Sequence, residues 1–382
     1  MPVQYNPKEL EEKIRRFWEE KGIVERLTKR SGKKKFYLLD GPPYVNAEAH
    51  VGHIKTTVLK DVWSKFKLMR GFSCWWQPGF DCHGLPIENM VEKELGLISK
   101  KDIEKIGVDK FVEACRKKAE GNEKVWLKIY RKLGAWRGYV QPYLTLENYY
   151  IESGWWAVKQ MHEKGMLYEG EKPTFWCPHC QSSLAGYEVT DAYADVKDPY
   201  IYVKFPLADR KNEYIVIATT TPWTLVSNVA IAIKGDAYYV KVKVGSEHLI
   251  ISEKRVEALK EFGLDYTVEE KFLGKDLEGV KYEPVLDLPA QEKLKKEKNA
   301  HVIILSIPVL KSKSYKHGVL EKAAEMKEEF FDFVIPEEGS GAVHTAPGHG
   351  PEDFYVGQHY KLPTVSPVDD EGKFTADAGK FA

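Results

Sequence analysis

Two histidines three residues apart, His50 and His53, enclose Gly52 and follow a Gly41-Pro42-Pro43-Tyr44 loop where a strand should end and a helix begin. The amino end of a helix has unpaired amide donors and a partial positive charge, so anions such as phosphates are stabilised there. Two imidazoles on one face can donate to phosphate oxygens, and Gly52 lets a ligand approach the backbone. The pattern suits a nucleotide site, and the plainer alternative is a tight loop with two ordinary polar histidines. No G-x-G-x-x-G or Walker A sequence occurs, which disfavours nicotinamide dehydrogenases and P-loop enzymes.

Four further stretches could do chemistry. In Gln77-Pro-Gly-Phe-Asp-Cys-His-Gly-Leu-Pro-Ile-Glu88, Asp81 lies in a Gly- and Pro-framed loop that can hold a carboxylate rigid against a substrate ammonium. Cys82 and His83 suggest a nucleophile and its base, but adjacent residues rarely face each other usefully. Thr219, Thr220 and Thr221 begin a run to Asn228, with hydroxyl and amide groups in a row at a strand end, where the alternative is simply a β-rich strand. Gly339 to Phe354 is a glycine-rich turn with His344, His349, Glu352 and Asp353; three of these could be metal ligands, yet their spacing matches no defensible site. Cys177-Pro-His-Cys180 supplies half of a tetrahedral zinc set, and no second pair occurs in the sequence. Redox use of that pair would want a thioredoxin-like frame, which is missing. Cys74, Cys82 and Cys115 read as small packing residues.

The elements that must position these residues follow from periodicity. Asn6 with Pro7 can start a helix carrying Leu10, Ile14 and Phe17, ended by Gly22. Phe36 to Leu39 predicts a short strand, and Ile54, Val58, Val62, Phe66 and Met69 predict one face of a helix from Gly52 to Gly71. Strand, loop and helix open an α/β unit. Residues 101–165 read as helical, with breaks near Gly121, Gly134 and Pro142. From about residue 170 short β-branched or aromatic runs take over: 200–205, 214–218, 229–233, 238–244, 248–251, 301–305 and 341–344, with helices around 253–261 and 320–329. The predicted domains are 1–170, a knuckle-like connector 171–198, a β-rich domain 199–375 and a short return segment 376–382.

At 382 residues the chain has room for two or three domains and a sizeable core. Lys plus Arg and Asp plus Glu are 57 each, with 43% hydrophobic residues, an ordinary globular balance that argues against bulk disorder. No run approaches the ~18 apolar residues of a membrane helix, and the start lacks the apolar core of a secretory signal. Five cysteines argue against a disulfide framework and fit a reducing cytoplasm. Nucleic-acid binding would rest on local clusters such as 33–35, 293–298 and Lys311, Lys313 and Lys316, which otherwise read as solvated loop charges.

Together the Gly-Pro-Pro-Tyr loop, the His-Val-Gly-His element and the Pro-Gly-Phe-Asp-Cys-His-Gly-Leu-Pro-Ile-Glu stretch resemble the amino-terminal half of class I aminoacyl-tRNA synthetases of the isoleucine, valine and leucine group. The resemblance implies an α/β fold, the first half of a Rossmann-type parallel-sheet catalytic core interrupted by a β-rich editing domain. By that match His50, Gly52 and His53 hold the ATP phosphates, with Mg2+, while Gly41, Pro42 and Asp81 line the amino-acid site. Ala47 stands where relatives often carry Gly. Thr219-Thr-Thr-Pro-Trp-Thr-Leu resembles the isoleucine-specific members, although Ala218 and Val226 replace a common Trp and Pro. The editing residues are then Thr219, Thr220, Thr221, Asn228, His344 and Asp353, with Asp353 on the ammonium of a misacylated amino acid. His50, His53 and Asp353 are the catalytic group, and Cys177 and Cys180 would bind Zn2+ with ligands from a later segment.

Editing has a physical reason: a pocket that accepts isoleucine cannot strongly exclude valine, the standard case of this limit, so a second site must hydrolyse the error. The expected partners are tRNA, ATP and isoleucine, with no membrane, for a cytoplasmic monomer. The Lys-Met-Ser-Lys-Ser loop of the family has no counterpart, Lys311-Ser-Lys-Ser314 lying inside the β-rich region. The chain is therefore expected to be a front portion retaining at most the hydrolysis. The alternatives are a valine or leucine enzyme, or a stand-alone tRNA-editing or tRNA-binding module.

Overall fold

The computed structural model describes residues 5–29, 34–39, 41–190, 192–306 and 333–382. Lys33, Asp40, the Lys311 to Ser314 stretch, Lys316 and the helix expected at 320–329 lie outside them. The chain divides into two compact units, Met1–Tyr168 and Glu169–Ala382. Segments 171–198 and 376–382 both fall in the second.

In the first unit α1 (Pro7–Glu20) and α2 (Ile23–Thr28) precede β1 (Lys34–Tyr37), α3 (Val51–Met69), β2 (Phe72–Trp75) and β3 (Gly79–Phe80). Then come α4 (Leu85–Leu95), α5 (Lys100–Ile106), α6 (Val108–Lys132), β4 (Tyr143–Leu144) and α7 (Asn148–Glu163). Strand pairs β1–β2 and β3–β4 are both parallel, as an α/β unit requires. Asn6 sits at the start of α1 with extended backbone but makes no capping bond through its side chain. Gly121 does not break the chain: α6 runs through it, because burial of Phe111, Ala119, Trp126 and Tyr130 along one stripe outweighs the roughly 1 kcal/mol that a mid-helix glycine costs.

Helix α3 turns a different side inward from the one its apolar residues predict. Val58, Val62, Phe66 and Met69 are exposed, whereas Thr57, Asp61, Ser64 and Leu68 are buried. Specific polar bonds fix this choice. The Asp61 carboxylate accepts the Trp136 amide (2.9 Å) and pairs with Lys65, whose Nζ also donates to the Gly134 carbonyl (2.8 Å).

The second unit opens with a small hairpin, β5 (Trp176–Cys177) and β6 (Ser182–Ser183), and the short α8 (Gly186–Thr190). There follow β7 (Ile201–Pro206), β8 (Glu213–Thr219), β9 (Ala230–Ile233), β10 (Tyr238–Val244), β11 (Glu247–Ser252), α9 (Ala258–Glu261) and β12 (Thr267–Leu273). The unit closes with α10 (Pro289–Leu294), β13 (Val302–Leu305), β14 (Ala342–Thr345) and α11 (Pro351–Tyr360). One mixed sheet has the order β12-β10-β11-β8-β7 and the other β13-β9-β14. Ile215, Ile217 and Ile250 of the first sheet and Ile231, Ile233 and Ile303 of the second share one buried cluster. Val216, Leu249 and Ile251, on the alternate face of the larger sheet, join a second cluster, and Ala230, Ala232 and Ile304 join a third with Val356 of α11. Burial on both faces is why these strands are continuous apolar runs rather than alternating ones. Strand β12 was invisible to that reading because Glu269, Glu270 and Lys271 interrupt it; it is an edge strand whose charged side chains remain in water.

Both units together give the α/β class with a parallel-stranded first part and a β-rich second part. Among the described residues no helix is long and apolar enough to cross a membrane. Replacing Ile231, fully buried at the centre of the smaller sheet, by Ala should cost about 2–5 kcal/mol, measured as a shift of the denaturant midpoint at unchanged slope.

Candidate functional sites in the two units

In the first unit the site is assembled by backbone lacing. The Asp81 amide donates to the Pro43 carbonyl (2.9 Å), and the Val45 amide donates to the Asp81 carbonyl (3.1 Å). The Gly41-Pro42-Pro43-Tyr44 loop thus runs as an extra strand beside Asp81, with Gly41 exposed and, among the described residues, nothing within 4 Å of where its Cβ would stand. The Asp81 Oδ1 accepts from Thr145 Oγ1 (3.2 Å), and the same hydroxyl meets His83 Nδ1 (3.0 Å) and accepts the Cys82 amide (3.0 Å). Thr145, just past β4, therefore orients the carboxylate, and nothing in its local sequence announces it. Cys82 is buried and its thiol is pushed up to about 11, chiefly by that burial, which suits packing and not nucleophilic attack.

The two histidines cap α3 reciprocally. His50 Nδ1 accepts the Gly52 amide (3.1 Å) and His53 Nδ1 accepts the His50 amide (3.3 Å). Each ring therefore carries its proton on Nε2 when neutral, which leaves Nε2–H as the donor each can offer. The ring centroids are 3.7 Å apart, and His53 also packs on Trp126 at 4.8 Å. Trp126 is itself fixed by donating to the Ala47 carbonyl (2.7 Å). Desolvation, helped by the neighbouring His50, lowers the pKa of His53 and keeps its ring neutral. Gly52 has a role beyond ligand approach: a Cβ there would stand 2.9 Å from Cε1 of the His50 ring.

In the second unit a chain of hydroxyls leads from β8 to β14. The Thr221 amide donates to Thr219 Oγ1 (3.0 Å), and Thr224 Oγ1 donates to the Thr221 carbonyl (2.8 Å). Thr224 Oγ1 also meets His344 Nε2 at 2.8 Å. The Thr221 carbonyl also accepts the Thr224 amide (3.0 Å), so the single Thr224 hydroxyl joins that carbonyl and the imidazole in one bonded unit. His344 Nδ1 is buried and, among the described residues, has no hydrogen-bond partner. One turn on, Ser227 Oγ bonds His349 Nε2 (2.8 Å), while Trp223 stands edge-on to the His349 ring at 5.1 Å. Burial lowers His344 to about 4 and also lowers His349.

Asp353, in the first turn of α11, keeps part of its surface in solvent, but its carboxyl is enclosed. Desolvation pushes it up to about 7, opposed by a bond from the Ala346 backbone and reinforced by Glu352. Gly350 is required beside it, since a Cβ there would lie 2.5 Å from Asp353 Oδ2.

Of the residues singled out from sequence, the structure brings Thr219, Thr221 and His344 into one bonded chain. Thr220 is exposed and outside that chain. Asn228 is buried, with its amide committed to the Tyr282 hydroxyl (2.6 Å) and the Ala230 carbonyl (3.0 Å). Thr224 and Tyr282 were not foreseen; Thr224 could have been found as a hydroxyl inside the same threonine-rich run. The Cys177 and Cys180 pair forms a turn in which Cys177 Sγ accepts the Cys180 amide (3.4 Å); burial raises the Cys177 thiol, but hydrogen bonds from Cys180 and His179 outweigh it and leave it lowered. That turn fits two corners of a tetrahedral set, but among the described residues no three His, Cys, Asp or Glu side chains converge to hold a metal ion.

The cap predicts that Gly52→Ala weakens binding of inorganic tripolyphosphate roughly ten-fold in a calorimetric titration, by forcing the His50 ring aside; unchanged affinity would show that the pair meets no anion. The second unit predicts a pH dependence of stability. His344 and His301 have folded values of about 4, below their ordinary 6.5, so their contribution grows as pH rises through that window. Asp353 has a folded value of about 7, above its ordinary 3.8, so its contribution is present below that ordinary value and lost as pH rises towards 7. Melting temperature should therefore rise between about pH 4.5 and 6.5, and more steeply in Asp353→Asn, from which the opposing group is gone.

A family profile described as tRNA synthetases class I (I, L, M and V) matches residues 13–282. The isoleucine–tRNA ligase of Pyrococcus abyssi (strain GE5 / Orsay) is 43% identical over 382 residues, covering 97% of this chain and 34% of the relative. That of Methanocaldococcus jannaschii is 41% identical over 387 residues, covering 98% and 35%. A solved ternary complex of a leucyl-tRNA synthetase from Agrobacterium radiobacter K84 has a TM-score of 0.41 at 16% identity, covering 93% of this chain and 44% of that one. The chain spans about a third of the length of the curated relatives it matches. With the profile matched over well more than half of its residues, the chain belongs to the class I tRNA synthetases of the isoleucine, leucine, methionine and valine group.

Proposed function

We propose that this chain carries the ATP- and amino-acid-binding corner of an isoleucine–tRNA ligase in its first unit, and a hydrolytic editing domain in its second. The overall reaction would take isoleucine, ATP and tRNA to isoleucyl-tRNA, AMP and pyrophosphate. Identity of 41–43% to isoleucine–tRNA ligases supports isoleucine over valine or leucine. In this reading His50 and His53 present two Nε2–H donors to ATP phosphates, with magnesium arriving on the nucleotide. Asp81, steadied by Thr145, takes the isoleucine ammonium, and Gly41 and Pro42 form the wall beside it.

In the second unit the substrate is valyl-tRNA, and water cleaves the ester to valine and free tRNA. The observation that carries this reading is the enclosed carboxyl of Asp353, held near neutrality by desolvation in the same fold as the threonine and histidine chain. An incoming ammonium would favour the ionised carboxylate, so binding the substrate and charging the group are one event. In this reading the unpartnered Nδ1 of His344 orients a water, and the hydroxyls of Thr219 and Thr221 bond to the terminal ribose. Cys177 and Cys180 would supply two of four zinc ligands, and no step depends on them.

Assayed on this chain, hydrolysis of valyl-tRNA should rise as pH increases through about 7, as Asp353 ionises. Asp353→Asn should lower kcat/KM at least about a hundred-fold and flatten that profile while the melting temperature is no lower than that of the unchanged chain. Wild-type-like hydrolysis by Asp353→Asn would remove the editing assignment.

A further inference from the structure

A buried polar lock lies behind the threonine-rich turn and is not accounted for by the chemistry above. Gln291 of α10 is almost wholly buried, and its Nε2 donates to two carbonyls, Val226 (2.9 Å) and Asn228 (3.1 Å). These carbonyls flank Ser227, whose hydroxyl meets His349. With both amide protons engaged, Gln291 Oε1 must be the atom facing His301 Nε2 at 2.8 Å, and the imidazole must be the donor. His301 is therefore the group that keeps the Gln291 amide from flipping. An amide the other way round would set its oxygen against two carbonyl oxygens in a buried site.

The backbone around His301 is specialised for this. Its φ is +51°, an unusual conformation for a residue other than glycine. Its amide donates to the Val229 carbonyl (2.7 Å), and its carbonyl accepts the Tyr282 amide (3.1 Å). The Tyr282 hydroxyl in turn donates to Asn228 Oδ1 (2.6 Å). The segment 226–229 is thus held at three of its four residues, Val226, Asn228 and Val229.

Resting on the editing reading above, we propose that Gln291 and His301 are positioning residues for the hydrolytic site: by fixing the Val226 and Asn228 carbonyls they set Ser227 against His349 and Thr224 against His344. Neither side chain needs to touch substrate. Loss of the lock lets the turn shift, and the cost falls on the rate of reaction and not on binding of the distant body of the tRNA.

The test compares this chain with His301→Leu, which removes the donor, and His301→Gln, which restores one. Valyl-tRNA hydrolysis is resolved into kcat and KM, and the imidazole nitrogen resonances of His344 and His349 are recorded alongside. His301→Leu should lose roughly ten-fold in kcat with KM within about two-fold, and should shift both sets of resonances. His301→Gln should recover most of each. Unmoved resonances in His301→Leu overturn the inference, as does moved signal with unimpaired hydrolysis. If the wild-type chain hydrolyses nothing while His301→Leu still moves the resonances, the editing reading fails and the lock stands as a device that places those two rings. Should His301→Leu not fold, Gln291→Glu takes its place: it keeps an acceptor for His301 but cannot donate to the two carbonyls, and the same losses are expected. If neither folds, the pair supports the unit as a whole and the positioning role is overturned.

Discussion

A hydrogen bond of 2.8 Å between Thr224 and His344 ties the turn after β8 to strand β14, two segments 120 residues apart in sequence. The placement of the threonine-rich turn beside His344 depends on that tie. It fixes the His344 ring, it holds the threonine-rich turn against the smaller sheet, and it is made in a buried setting where an unpaired partner would cost about 1–3 kcal/mol. The surrounding apolar clusters provide the rigidity. Strands buried on both faces cannot slip in register without turning side chains to the wrong side, so the bond forms between groups that are already placed.

The same logic operates in reverse at Asp353. Here the enclosure withholds a positive partner from a carboxyl, and the result is a group balanced between its two charge states near neutral pH. Such a site gains most from a ligand that brings its own positive charge. In the first unit the imidazoles of His50 and His53 spend their Nδ1 atoms on backbone amides, so the helix end loses two of its free donors and gains two directed ones. The side-chain donors there are themselves oriented by the helix end.

Much of this was legible in the residues. The order of elements, the parallel opening of the first unit, most strands of the second, and the threonine and histidine segments all follow from periodicity, turn residues and motif. The exceptions have physical causes. Gly121 lies within α6 because side-chain burial outweighs backbone entropy. The inward face of α3 was set by Asp61 and Lys65 reaching partners after α6, which no helical wheel reports. Strand β12 was hidden because an edge strand in water has no need of alternating apolar residues.

By itself the sequence determined which groups are available: a carboxylate framed by glycine and proline, two histidines at a helix start, a row of hydroxyls, and an acidic residue beside Gly350. Their local spacing is enough for this, since it depends only on backbone geometry within a few residues. Only the tertiary structure decided which of them act together. Thr145 reaches Asp81 across 64 positions, Gln291 grips carbonyls more than 60 positions earlier, and Asn228 turns to Tyr282. Hydrogen-bond direction, tautomer and desolvation are properties of neighbours in space, and a linear order of residues does not contain them.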